Sequence, residues 1–348
     1  MVRPQTRRLM AAFATIAAAT MLLTACNRGG DDSSAGGGET SEDCTVAYSQ
    51  GSLSGEWRVA NSEDMKAQVE AAGCEFIQIS ANDDVAKQLQ DVNDLLSKQP
   101  DLLIVAPVQY EPLAPVPGLA EAAGVPLIVV DRELPGTPGT GEYKALITID
   151  FVESGEKIAE SIVKGLTEKN GAPRGKILHI TGTTGSSPVI DEQKGIDNVL
   201  ADYPDIEIVG SCDGLYAAEP GRSCMEDFLQ RFDAGTVDGV FADNDEMALG
   251  AIQAIKAADR TEFFPWVWGK DAQRTALEAM LAGEMYYTIS TPPQYGEVTM
   301  STWEKIKDGS LEDPVVLIPK TEFTLDDDDA LQATIDKLND QGMNCCSS

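Results

Sequence analysis

CTVAYSQGSLSGEWRVANSEDMKAQVEAAGCEFIQIS, residues 44–80, decides the fold. A short apolar run (45–49) ends in the polar, glycine-containing loop SQGSLSGEWR. The helical stretch EDMKAQVEAAG follows, and a second apolar run (75–79) begins straight after it. Short apolar runs bounded by turn residues suit buried strands, and a helix between two of them lets the strands run parallel. The same rhythm continues along the chain, with strands expected at 102–106, 126–130, 145–149, 176–180, 206–210, 238–242, 265–269 and 285–289. Helical stretches such as VAKQLQDVNDLLSKQ, SGEKIAESIVKGLTEKNG and DEMALGAIQAIKAADR fill the intervals. The alternation predicts an α/β fold of doubly wound parallel sheets. Ten strands exceed one comfortable sheet, so two Rossmann-like lobes are expected.

Composition agrees and excludes much else. Of 348 residues 43% are hydrophobic, enough for more than one core, while aromatics are only 6%. The formal net charge of −31 repels nucleic acid and sets aside a DNA or RNA partner. The single histidine, His179 in the apolar run KILHI, reads as a core residue, which leaves histidine-based metal sites and triads without material. No Gly-rich phosphate fingerprint follows the first strand, and no GxxxxGK[ST] occurs. No cofactor and no metal are expected. The acidic run Asp326–Asp329 lacks the Gly turn and spaced Glu of a calcium loop and reads as a solvated acidic loop.

The first residues carry a targeting signal. Arg3, Arg7 and Arg8 precede an apolar stretch from Leu9 to Leu23, shorter than the ~18–20 residues needed to span a bilayer. It ends in Leu23-Thr24-Ala25-Cys26, which resembles the lipobox of bacterial lipoproteins. Residues 1–25 are therefore expected to be a removed signal peptide and Cys26 the lipidated N-terminus. NRGGDDSSAGGGETSED then supplies a flexible tether over 26–43. Export places the remaining six cysteines in an oxidising compartment. Cys44 and Cys74 open two strands expected to be neighbours, and Cys212 and Cys224 flank a loop and helix start, so Cys44–Cys74 and Cys212–Cys224 are the expected disulfides. Cys345 and Cys346 stay unassigned.

In open α/β sheets ligands sit beyond the carboxyl ends of the strands. Those ends here carry SQGSLSGEWR, APVQ, DRE, DF, TGTTGSS, DND, KDA and STPPQ. Two lobes facing each other with such ends would form a cleft of planar polar groups and aromatics, suited to a polyhydroxylated ring. SGEWRVAN (54–61), DRE (131–133), SSPVIDEQKG (186–195) and VDGVFADNDEMALGAIQAI (237–255) resemble the type I periplasmic sugar-binding proteins of ABC importers, in particular the ribose- and galactofuranose-binding branch. The resemblance covers roughly residues 45–310.

That resemblance implies a ligand site. Asp131 and Arg132 would hold sugar hydroxyls and Asn244 would face the ligand; read from the residues alone, Asn244 and Asp245, the latter above all, also suit the N-cap of a helix beginning at Glu246. Asp271 matches the aspartate of the family's GxDG-like turn, and Trp57 and Arg58 match the Trp-Arg of the galactofuranose branch. Phe151 and Tyr216 fall where aromatics cover the sugar. The chain also departs from the family: Glu192 stands where relatives carry arginine, Lys270 precedes the aspartate, and Thr291 replaces the polar residue of the last crossover. Glu192 and Lys270 are expected to face each other across the cleft and re-tune the ligand.

The implied function is that of a lipid-anchored, monomeric, extracytoplasmic solute-binding protein. It would capture a monosaccharide or polyol and deliver it to ABC transporter permease subunits, with no bond chemistry. The implied lobes are residues 44–149 plus 292–322 and 150–291 plus 323–348, hinged near 149–150, 290–292 and 320. Two other readings stay open: a sensory binding protein, and an exported glycoside hydrolase using Asp131 and Glu192.

Overall fold

The computed structural model describes residues 44–344. The leader, Cys26, the tether, Cys345 and Cys346 lie outside the described residues.

The described chain runs β1 (Thr45–Gln50), α1 (Glu56–Ala71), β2 (Glu75–Ser80), α2 (Val85–Leu96), β3 (Leu102–Ala106), α3 (Pro115–Ala123), β4 (Leu127–Val130), β5 (Ala145–Thr148) and α4 (Phe151–Asn170). It continues β6 (Gly175–Thr181), α5 (Ser187–Leu200), β7 (Ile206–Asp213), α6 (Ala218–Arg231), β8 (Gly239–Ala242), α7 (Asp245–Ala257), β9 (Val267–Trp268), α8 (Arg274–Leu281) and β10 (Tyr287–Ile289). Four elements close it: α9 (Gly296–Asp308), β11 (Val315–Leu317), β12 (Glu322–Thr324) and α10 (Asp328–Asp340). All ten expected strands are present, most with ends shifted by one to three residues. β11 and β12 were not expected.

The strands form two six-stranded sheets of the same winding, β11-β5-β4-β3-β1-β2 and β12-β10-β9-β8-β6-β7. Every pairing is parallel except β10 with β12. Central strands β3, β4, β5 and β8 are buried along their whole length, as a sheet covered by helices on both faces demands. The edge strand β7 is largely half-exposed or exposed. The chain crosses between sheets three times: from β5 into α4, from β10 into α9, and from β11 to β12. This is the two-lobed architecture that the alternation predicts.

Both expected disulfides are formed, Cys44–Cys74 and Cys212–Cys224, with Cα separations of 4.6 and 5.8 Å. β1 pairs with β2 starting at Thr45–Glu75, so the first bridge joins two strand beginnings at one sheet edge. His179 is buried and stacked 4.6 Å from Phe241, and its Nε2 lies 2.6 Å from Asp243. The run Asp326–Asp329 is not a free loop. Asp327 caps α10 by accepting from the Ala330 amide at 3.0 Å, Asp328 and Asp329 occupy the first turn, and Asp326 pairs with Lys164. Acidic side chains there favour the helix through its dipole, which explains the run without a cation.

Candidate functional site

The carboxyl ends of the two sheets face one cavity, which encloses about 540 Å³ of space free of protein atoms, part of it open to solvent. Ten of the eleven residues expected from sequence line it: Trp57, Arg58, Asp131, Arg132, Phe151, Tyr216, Asn244, Lys270, Asp271 and Thr291. Glu192 does not. Ser52, Ser54, Asp83, Leu215 and Glu246 also line the wall and were not singled out from sequence.

The wall contributed by the first sheet is built around a carboxylate between two guanidiniums. Asp131 follows β4 directly in the left-handed region (φ 65°), a conformation that Asp tolerates better than most residues. Arg58 Nη2 donates to Asp131 Oδ2 at 2.6 Å, and Arg132 Nε lies 3.8 Å from the same oxygen. Arg132 also donates to the carbonyls of Val108 (2.6 Å) and Pro107 (3.3 Å). Burial and the neighbouring Arg58 lower the Arg132 pKa to about 10, an unusual value for a guanidinium. The Trp57 indole donates to the Thr291 carbonyl at the second crossover, 2.6 Å away, and meets Tyr295 edge-on. Trp57 thus ties the cavity wall to a hinge segment.

The opposite wall comes from the second sheet. Asn244, not Asp245, is the N-cap of α7, and its side chain accepts from the Met247 amide at 3.0 Å. The helix begins at Asp245, one residue earlier than expected. The Asp245 carboxylate is fully buried and accepts from the Gln273 amide and the Thr288 hydroxyl, both at 2.8 Å. Lys270 follows β9 and lies 4.9 Å from the Phe151 ring centre and 5.7 Å from that of Tyr216.

Glu192 and Lys270 do not face each other across the cleft. Both belong to the second lobe and form a direct buried ion pair. The reason is how closely α5 packs against α4. A Cβ on Gly155 would stand 2.1 Å from the Glu192 carbonyl oxygen, so the α5 backbone lies against α4 and the Glu192 side chain sits behind the wall. Burial works against the Lys270 charge, but Glu192 and Asp271 outweigh it and raise its pKa. Burial pushes the Glu192 carboxyl up against the pull of Lys270.

Contacts across the cleft bring the lobes together. The Glu56 amide donates to Glu246 Oε1 (2.8 Å), the Glu133 amide to Ser187 Oγ (2.7 Å) and the Tyr110 amide to the Gly185 carbonyl (2.9 Å). Arg132 of the first lobe stacks 5.1 Å from the ring of Tyr216 in the second. Five of the nine non-glycine residues with positive φ among those described line the cavity: Asp83, Asp131, Leu215, Tyr216 and Asp271. Strained backbone concentrated at one cleft is the usual mark of a binding site. Asp83 accepts from the Ser52 hydroxyl at 2.6 Å, and Glu246 accepts from the Glu56 amide across the cleft. A polar residue just past a strand end was the available signal for Asp83. Among the described residues no cluster of His, Cys, Asp and Glu could hold a metal, and no helix is long and apolar enough to cross a membrane.

Residues 46–309 match the family model described as periplasmic binding protein domain, about three quarters of the chain. The chain belongs to this family. It is 32% identical over 263 residues to a xylitol-binding protein of Mycolicibacterium smegmatis, covering 74% of this chain and 71% of the relative. It is 29% identical over 286 residues to a galactofuranose-binding protein of Escherichia coli, covering 81% and 88%. Its fold is similar to the binding component of an arabinose transporter from Shewanella sp. ANA-3 bound to L-arabinofuranose, with a TM-score of 0.77, 27% identity, and coverage of 86% and 96%. Membership in a family of periplasmic binding proteins places this chain outside the cytoplasm and makes it a binding protein rather than an enzyme.

Asp245 gives the site a pH signature. Burial pushes its pKa up to about 8, against the opposing hydrogen bonds from Gln273 and Thr288. In the unfolded chain the group ionises near 3.9. Between these values the folded state holds a proton that the unfolded state has lost, so stability falls as pH rises. Asp245 is expected to contribute about 1.4 kcal/mol per pH unit between pH 5 and 7, on top of contributions of the same sign from Glu192 and Asp271, whose carboxyls burial also pushes up. Urea unfolding across this range should show the decline, and Asp245→Asn should make it shallower by the Asp245 share. An unchanged slope in the variant would assign the effect to other groups.

Proposed function

We propose that this chain is the solute-binding lipoprotein of an ABC importer and captures a monosaccharide or polyol between its lobes. The observation that carries the reading is the cavity wall itself. Arg58 and Asp131 from one lobe and Asn244, Lys270 and Asp271 from the other set donors and acceptors around a space flanked by Trp57, Phe151 and Tyr216. Charged and amide groups of this kind bond hydroxyls in directed pairs, while aromatic faces cover the C–H surface of a ring. A solute touching both lobes favours the closed arrangement, whose shape permease subunits can read. The lobes are assigned 44–149 with 292–321, and 150–291 with 322–344. Glu322 moves to the second lobe because it pairs with Ile289.

Lipid attachment at Cys26 is part of the same proposal and rests on the sequence from Arg3 to Cys26. Metabolic labelling with a palmitate analogue should mark the chain in a bacterial host and fail to mark Cys26→Ser. For the solute, thermal unfolding should be followed with xylitol, D-ribose, L-arabinose, D-galactose and myo-inositol in turn. At least one should raise the midpoint, since a ligand at 100 times its Kd stabilises the native state by about 2.7 kcal/mol. No shift with any neutral sugar or polyol would overturn the reading.

A further inference from the structure

The ion pair of Glu192 and Lys270 is unevenly satisfied. Glu192 is 1% exposed and Lys270 3%. One Glu192 oxygen accepts from Lys270, and the other meets no hydrogen-bond partner among the described residues. A buried ion pair recovers its desolvation cost only when its remaining lone pairs are also satisfied. Half-satisfied, this pair is a poor stabilising device, so its worth lies elsewhere.

The ammonium end shows where. Lys270 lines the cavity, while Glu192 stands behind it. The two other cations of the wall are already committed: Arg58 to Asp131, and Arg132 to the carbonyls of Val108 and Pro107. Lys270 carries three N–H groups, and its hydrogen bond among the described residues goes to Glu192. The flanking rings of Phe151 and Tyr216 accept none in the ordinary sense, but they hold the ammonium between them.

Resting on the solute-binding reading, we infer that Lys270 is the specificity-determining donor of the second-lobe wall and that Glu192 is the positioning residue that aims it. An ammonium is a point donor, where a guanidinium would present a planar fork to two oxygens. The wall therefore reads a single oxygen of the solute at this place. Glu192 also cancels the Lys270 charge, as Asp131 cancels that of Arg58, so that oxygen belongs to a neutral hydroxyl or ring ether rather than to a carboxylate or phosphate. The selected class is a neutral sugar or polyol carrying an oxygen opposite Lys270.

Two variants of the full-length chain test this, using the five neutral solutes named above. Lys270→Met strands the Glu192 carboxylate and is expected to lower the unfolding midpoint as well as the affinity. Glu192→Gln with Lys270→Met removes both charges, and its unfolding midpoint is expected to return to that of the wild type. Its affinity for the solute the wild type binds should stay on the order of 10- to 100-fold weaker, the loss of one charge-assisted hydrogen bond. If the double variant regains both midpoint and affinity, the pair is only structural and the inference is overturned. A wild type that binds none of the five overturns the solute-binding reading, a different outcome seen before any variant is made.

Discussion

Asp131→Ala is expected to abolish detectable solute binding and to cost the fold roughly 3–5 kcal/mol. The Asp131 carboxylate is the counter-charge for Arg58 at 2.6 Å and stands 3.8 Å from Arg132. The three side chains are 8%, 11% and 6% exposed, so water entering from the cavity would replace it poorly. Removing one member of a buried charge cluster costs far more than losing a surface ion pair, because the remaining guanidiniums are left desolvated and mutually repelling. Arg132 keeps its two carbonyl acceptors, whereas Arg58 keeps a 3.4 Å hydrogen bond to Gln50 and its place 5.1 Å from the Trp57 ring centre. Arg58, without its counter-charge, is expected to shift, so the wall loses an acceptor and a donor at once. The backbone adds a smaller cost, since alanine is less at ease than aspartate at φ 65°. Asp131→Asn separates the contributions: it keeps shape and backbone tolerance, loses the charge and one of the two acceptor oxygens, and should fall between wild type and alanine in stability. Urea unfolding at unchanged m-value measures the loss of stability, and calorimetry the loss of binding. A loss under about 1 kcal/mol would mean that the cluster is hydrated like a surface pair.

The sequence made the sheets legible through β3, β4 and β8, whose unbroken apolar runs are what burial on both faces selects. β11 and β12 escaped because three residues, VVL and EFT, carry no periodicity. They sit at sheet edges, and what recruits them is the geometry of the third crossover rather than their own pattern. The site was legible in a similar way. Asp131, Asn244 and Asp271 stand one, two and three residues past the ends of β4, β8 and β9, so locating the strands located the wall. Asn244 lines the cavity and also caps α7; spacing alone leaves Asn244 and Asp245 both as cap candidates, since both residue types cap helices equally well and only the packing of Gln273 and Thr288 against Asp245 distinguishes them. Glu192 could not have been placed from spacing alone. Whether its side chain reaches the cavity or stops behind it depends on how closely two helices approach.

That approach sets the second large expectation. Gly155→Ala, a change of one methyl group, should destabilise the protein by about 3 kcal/mol or more. The new Cβ would lie 2.1 Å from the Glu192 carbonyl oxygen and 2.9 Å from the Glu192 Cα, so the obstacle is backbone and cannot rotate away. Gly195 on α5 meets α4 in the same manner, since a Cβ there would stand 2.1 Å from the Val152 carbonyl. The two glycines form a reciprocal contact, and relief requires the helices to part by more than an ångström along their crossing. Dense interiors absorb such a shift badly. Gly118→Ala provides the contrast, because it lies within α3 with nothing within 4 Å of its Cβ. There alanine should be neutral or stabilise by up to about 1 kcal/mol, through a less mobile unfolded chain. Separating α5 from α4 also draws Glu192 back from Lys270, so the surviving folded Gly155→Ala protein should bind solute more weakly than the wild type. Unfolding curves for both variants, with calorimetry on Gly155→Ala at low temperature, decide the matter. Equal stabilities for the two alanine variants would show that α4 and α5 can part freely, and normal affinity in Gly155→Ala would show that the position of Glu192 does not depend on their contact.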